Sequence, residues 1–246
     1  AKPQSNLTWS AAASIANLYT GYLNKSAGMA KLDLCYQNGD STGACKENCD
    51  MFEDYRQNYT KCSGVRLPGE YEWEYAARGG KLATAYQTLG LDPATTDGFV
   101  DVPNDRPALE NLLKQSAWIA SNAKNLYTPV DSASNHKPNR LGIFDLHGNV
   151  SEWTNDAFPS ETLYRQYADE LTTGTPAVLT DPAHYLPQTD AAFHISRGCN
   201  FSHQLSNCRD AFRWFDETTY RGARFVVMPV YDANGKLLVS SGAANN

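Results

Sequence analysis

No run of basic residues occurs anywhere in the 246-residue chain, and its 21 Lys and Arg are outnumbered by 27 Asp and Glu, for a formal net charge of −6. A face that binds nucleic acid needs clustered cations to displace counterions from phosphate, so nucleic acid is not an expected partner. No apolar stretch is long enough to span a bilayer. No signal peptide stands at Ala1, and the opening AKPQSN reads as a trimmed or mature end, where a removed leader or lipid anchor would leave no trace. Gly-rich phosphate loops, nucleophile elbows and HExxH motifs are all missing. The five histidines, His136, His147, His184, His194 and His203, never fall at HxxxH or facial-triad spacing, so each reads as a surface or turn residue. There is no internal repeat and no low-complexity tract.

What is present points to a folded, partner-binding chain. Hydrophobic residues make up 41% and charged residues 20%, enough apolar content for a packed core. Tyr and Trp number 14 and 5, and these side chains are favoured at binding surfaces. Four of the six cysteines, Cys35, Cys45, Cys49 and Cys62, lie in one polar segment; Cys199 and Cys208 lie far downstream. No His sits among the four and no CxxC knuckle is present, so disulfides are expected rather than zinc, and with them an oxidising, extracytoplasmic compartment. Sequence does not choose among the pairings.

Along the chain, Thr8 is a candidate N-cap for a helix in which Ala12, Ile15, Ala16, Tyr19, Tyr22 and Leu23 recur at helical spacing, with Gly28 as a stop. Residues 36–62 read as a Cys-bearing loop. In VRLPGEYEWEYAARGG, Gly69 reads as an N-cap and Gly79 as a left-handed stop, which predicts a short helix over 70–78. Residues 80–115 and 157–192 read as loops. NRLGIFDLHGNVSEWTND reads as a turn-rich core segment. Near the end, 224–230 and 236–240 are strand candidates around the turn Asp232-Ala233-Asn234-Gly235.

Four stretches, in order, resemble the formylglycine-generating-enzyme (sulfatase-modifying-factor) family. They are RLPGEYEWEYAARGG, with Gly69 where the family has Thr; the block from SAWIASNAKNLYTPV to NRLGIFDLHGNVSEWTND; ISRGCNF; and CRDAFR followed by RGARF. The resemblance implies one domain over 1–246 with a Cys-rich insert at 35–62. It also implies a C-type-lectin-type fold, α/β (α+β) with much irregular structure. The family's oxidase uses a closely spaced cysteine pair to hold copper(I), a soft ion suited to thiolates. Here the matching stretch 202–207 contains no cysteine, Cys199 and Cys208 merely flank it, and a local disulfide between them is the simpler expectation. Copper and enzyme activity are therefore not expected. A structural calcium ion is. Matched position by position, its ligands would be the Asp145 and Glu152 carboxylates and the Gly148 and Val150 carbonyls, a hard-oxygen set.

The segment 199–220, within a candidate variable ligand-binding region 197–228, departs most from the family. Between the framework residues Arg197, Gly198, Cys208, Arg209, Ala211, Arg213 and Arg221 stand scattered aromatic and polar residues. This resembles the variable proteins of diversity-generating retroelements, whose diversified side chains line an exposed ligand site. The candidate ligand-binding residues are Ser202, His203, Gln204, Leu205, Ser206, Asn207, Asp210, Phe212, Trp214, Phe215, Asp216, Thr219 and Tyr220. Trp214, Phe215 and Tyr220 are expected to be exposed, an apolar patch calling for a partner. The expected role is a non-catalytic protein, at the cell surface or as an outer-membrane lipoprotein, that binds a protein or cell-surface ligand. The alternative role is a structural or assembly lipoprotein domain of the cell envelope, and a third, ranked below it, is a copper-dependent formylglycine-generating oxidase.

Overall fold

A computed structural model describes residues 3–25, 31–39, 45–52, 55, 59–80, 106–124, 128, 136–139, 141–158, 193–208, 210, 212–215, 219–227, 230–231 and 237–239. Among these residues there are three helices, α1 (Trp9–Asn24), α2 (Glu70–Ala77) and α3 (Arg106–Leu113). Eight strands accompany them: β1 (Tyr36–Gly39), β2 (Cys45–Met51), β3 (Ser151–Phe158), β4 (Phe193–Arg197), β5 (Arg213–Phe215), β6 (Arg221–Ala223), β7 (Val230–Tyr231) and β8 (Leu237–Val239). They form a four-stranded sheet of order β5-β4-β3-β6 and two hairpins, β1-β2 and β7-β8. This is the expected α/β fold with much irregular backbone.

The sequence reads as one domain, and the structure divides into two compact units, each discontinuous in sequence. The first comprises Ala1–Leu7, Glu70–Glu152 and Ser196–Ala223; the second comprises Thr8–Gly69, Trp153–Ile195 and Arg224–Asn246.

In the second unit, Thr8 caps α1 as anticipated, its hydroxyl accepting from the Ala11 N–H at 3.1 Å. Ala12, Ala13, Ala16, Asn17 and Thr20 form the buried face, while Leu18, Tyr19 and Tyr22 stay exposed. The helix packs against β1 and β2. Asn17 stands in for a strand partner: its side chain donates to the Tyr36 carbonyl at 2.7 Å and accepts from the Tyr36 N–H at 3.2 Å. Residues 36–62 are therefore not one long loop. They contain the β1-β2 hairpin, because paired backbone groups satisfy a polar segment that has few apolar side chains to bury. Cys35 and Cys62 form a disulfide at its base; the side chains of Cys45 and Cys49 lie outside the described residues.

Gly69, read from sequence as an N-cap, is also a point of close approach: a Cβ there would sit 1.7 Å from the Tyr59 hydroxyl. Near the C-terminus, among the described residues, Val230–Tyr231 pairs with Leu237–Val239, and Val226, within the first predicted strand, forms an isolated bridge with Arg66.

In the first unit, α2 ends as predicted, with Gly79 at φ +69°. Part of the stretch read as an inserted loop, 80–115, is helix α3. Its Leu113 packs with Ala117, Ile119, Cys199 and Cys208 in one buried cluster. A second cluster joins Trp73, Ala77 and Leu146. Among the described residues no helix is long and apolar enough to cross a membrane.

Candidate functional site

The candidate ligand region stands on a buried ionic frame in the first unit. Glu70 and Glu74 lie one turn apart on α2, so both carboxylates face the same side. Arg197 donates to Glu70 at 2.7 Å and to Glu74 at 2.6 Å, and its guanidinium lies 5.2 Å from the Trp73 ring. Arg213 on β5 pairs with Glu70 and approaches Glu74 at 3.6 Å. Arg78 reaches Glu74 at 2.7 Å. Burial alone would raise the Glu74 pKa. Arg197, by charge and by hydrogen bond, and then Arg213 and Arg78 outweigh that and hold its carboxyl below the usual range.

Asp210 completes the frame and corrects the sequence reading. It is only 7% exposed. Its carboxylate accepts from His147 Nε2–H at 2.6 Å and stands 4.0 Å from Arg78, while its carbonyl accepts from Arg197 at 2.5 Å. A carboxylate so held braces the frame and cannot meet a ligand at the surface. His147 and His136, read as surface or turn residues, are likewise buried. His136 Nδ1–H donates to Asp145 at 3.0 Å, and its ring packs 4.4 Å from Trp118. Neither pairing was legible, because each joins residues whose proximity only the fold creates.

Above this frame, Cys199 and Cys208 form the expected disulfide, with both side chains buried. Between them Asn200 organises a tight turn. Its side chain accepts from the Ser202 N–H at 3.0 Å and the Ser202 hydroxyl at 2.7 Å, and its N–H donates to His203 Nδ1 at 3.2 Å. The His203 ring stacks on Trp214 at 4.6 Å and 12° between planes, and Phe212 meets the Trp214 ring at 5.1 Å. On β5 the alternation of strand side chains points Arg213 at the α2 carboxylates and Trp214 to the aromatic cluster, which Phe212 joins from just before the strand. Phe201 packs edge-on against Tyr220 at 4.6 Å.

The structure thus groups the candidates unevenly. Ser202, Gln204 and Thr219 are exposed, and His203, Leu205, Asn207, Phe212, Trp214 and Tyr220 are half-buried. Trp214 and Tyr220, expected to stand exposed, are partly sheltered by the rings they contact. Ser206 lies in the short 3-10 turn Leu205–Asn207 and Phe215 in β5, with side chains outside the described residues, as is Asp216 altogether.

The candidate cation loop lies in the same unit. Asp145, Gly148 and Asn149 all adopt left-handed backbone, with φ +54°, +78° and +60°. Gly148 is required: a Cβ would fall 2.2 Å from the Trp118 carbonyl. The Asn149 N–H donates to that carbonyl at 2.8 Å. Asp145, Val150 and Glu152 are buried. The Asp145 carboxylate accepts from His136 and the Glu152 carboxylate from the Trp73 indole at 2.7 Å. Carboxylates and turn carbonyls are the oxygen donors that a hard cation takes. Among the described residues no three His, Cys, Asp or Glu side chains gather into a metal cluster.

Comparison with known proteins bears on both features. Residues 1–225 match the family model of the sulfatase-modifying factor enzyme 1-like domain. The formylglycine-generating enzyme of Thermomonospora curvata is 30% identical over 151 residues, 61% of this chain and 43% of that protein. The chaperone protein LppX of Paenibacillus barcinonensis is 36% identical over 93 residues, 37% of this chain and 31% of that protein. The chain thus spans less than half the length of these curated relatives. Among solved structures, Treponema denticola variable protein 1 aligns with TM-score 0.58 at 20% identity, covering 91% of this chain and 70% of that one. CarF aligns with TM-score 0.53 at 20% identity, covering 90% and 66%. At that identity the likeness concerns the fold.

Proposed function

The chain belongs to the sulfatase-modifying factor enzyme 1-like domain family, and from that premise we propose that it is a non-catalytic, extracytoplasmic ligand-binding protein. The observation that carries this reading is the Cys199–Cys208 disulfide. These are the two cysteines nearest the position where the family's oxidase needs a thiolate pair for copper(I), and here they are bonded to each other. The stretch that matches the place of the oxidase pair, 202–207, holds no cysteine, and its His203 ring stacks on Trp214, which Phe212 also meets. Aromatic area flanked by short polar side chains suits recognition of a protein or cell-surface ligand. The likeness in fold to a variable protein supports the further reading that residues 199–220 are diversified by a retroelement. The two described disulfides support an oxidising compartment, and a lipid-anchored place at the cell surface follows as part of the proposal.

The deciding experiment has two parts. The locus and its flanks are sequenced for a near-copy of the 199–220 coding stretch that differs only at adenines. Trp214→Ala is then compared with the unaltered chain for capture of cell-surface partners. A template, together with at least tenfold weaker capture by a folded Trp214→Ala, supports the reading. No template, with capture unaffected, sinks it in favour of a fixed envelope assembly domain. The relatives named formylglycine-generating enzymes favour a second reading, a copper-dependent oxidase. It requires oxidation of a cysteine peptide by the reduced, copper(I)-loaded chain and loss of that activity in Cys208→Ser.

We also propose that the loop at 145–152 holds a calcium ion through the Asp145 and Glu152 carboxylates and the Gly148 and Val150 carbonyls. Such an ion would neutralise two buried carboxylates and fix the left-handed turn.

A further inference from the structure

We propose that the N-terminal segment Gln4–Leu7 is part of the candidate ligand site, and that Asn6 is the residue that positions Tyr220 in it. The inference rests on the binding reading above, in which Tyr220 is a ligand contact, and names what fixes that residue.

Tyr220 stands in a conformation that its own side chain disfavours. Its φ is +59°, left-handed backbone in which the Cβ crowds the following carbonyl and which bulky residues rarely enter. Neighbours must therefore hold it, and both of its backbone groups are bonded to residues distant in the chain. Its N–H donates to the Asn6 side-chain oxygen at 2.9 Å, across 214 positions. Its carbonyl accepts from the Ser151 N–H at 3.1 Å. With the backbone held at both groups, the ring meets Phe201 edge-on at 4.6 Å. The two holds differ in kind. Ser151 is fully buried and acts through its backbone, so the fold itself supplies that bond. Asn6 is exposed and acts through its side chain, so one residue type supplies the other.

The segment that carries Asn6 is fitted against β6. The Leu7 N–H donates to the Arg221 carbonyl at 3.0 Å. A Cβ at Gly222 would fall 2.8 Å from the Gln4 carbonyl and 2.9 Å from a Val150 methyl, so the strand carries glycine where the segment presses on it. Asn6 is itself left-handed, at φ +59°, a region that Asn and Asp enter more readily than other side chains. Position 6 thus makes two demands, a left-handed backbone and a short side-chain acceptor. Asn and Asp meet both. Gly meets only the first.

That difference gives the test, made on the full chain without ligand, with Asn6→Gly and Asn6→Asp compared with the unaltered protein. The readouts lie one bond away from the change. They are amide exchange at Ser151, whose partner is the Tyr220 carbonyl, and the ring-proton shifts that Phe201 imposes on Tyr220. Asn6→Gly is expected to speed exchange at Ser151 at least fivefold and to lose the ring shifts, with exchange in α2 unchanged. Asn6→Asp is expected to keep both as in the unaltered chain. No change in Asn6→Gly would mean that the buried side alone holds Tyr220. Equal loss in both variants would mean that the acceptor is not what counts. Faster exchange through α2 as well would mean that Asn6 holds the unit rather than the site. Each of these overturns the proposal. Capture of cell-surface partners is expected to weaken at least fivefold in Asn6→Gly. Capture that falls in Trp214→Ala and not in Asn6→Gly also overturns it. Failure of the binding reading shows differently, as capture indifferent to Trp214→Ala, and leaves the ligand-free measurement to decide the role of Asn6.

Discussion

Asp210 separates what a residue type suggests from what its neighbours require. In sequence it is one polar residue in a changeable stretch; in the structure His147, Arg78 and Arg197 surround it. Removing one partner of a buried charge network leaves the others uncompensated. Asp210→Ala is therefore expected to lower unfolding stability by about 3–5 kcal/mol in a denaturant titration, whereas a surface contact residue would change it by less than about 0.5 kcal/mol. His194 offers a second test. Its ring is stacked on Trp9 at 4.0 Å and meets Trp153 edge-on. Loss of water around the ring pushes its pKa from 6.5 down to about 3. The unfolded chain then binds a proton that the folded chain refuses between those values. The stability contributed is complete above pH 6.5 and falls as the pH drops toward about 3, by on the order of 1 kcal/mol per unit. His194→Phe should flatten that dependence in urea midpoints measured between pH 7 and pH 5. Neither role was legible, since both depend on rings and charges brought together from distant positions. Cys199 and Cys208 were legible as a pair because they are close in sequence.

At the scale of elements, legibility followed the strength of local signals. The start of α1 was readable because Thr8 carries its own cap chemistry, and α2 because Gly79 stops it in left-handed backbone. Thr8→Ala is expected to cost about 1 kcal/mol, read as a shift in the denaturation midpoint with an unchanged slope. The β1-β2 hairpin and α3 were not readable. β1-β2 lies in polar sequence without alternation, and α3 lies in a stretch whose Asp, Pro and Thr content masks its eight helical residues. In the cation loop the turn-rich character was evident, but not that Trp118 backbone presses on Gly148. β5 shows how an element only three residues long can divide labour. Arg213 anchors it to Glu70 and Glu74, and Trp214 stacks on His203 and meets Phe212, the residue before the strand.

At the scale of the whole molecule, family membership and fold class were accessible from long motifs, while the division into two units was not, because each unit gathers three separated segments. The calcium proposal is tested at this scale, since an ion bound only by the folded chain raises the melting temperature of the whole. Chelation with EDTA is expected to lower it by roughly 5–10 °C from that at a hundredfold excess of calcium over Kd. An unchanged transition would remove calcium from the account. A last consequence concerns descent and recombination. The Tyr59 hydroxyl occupies the space that a side chain at residue 69 would need, and relatives of the RLPT type carry one there. A chimera that imports an RLPT segment while keeping Tyr59 is therefore expected to clash unless the ring moves or is shortened as well.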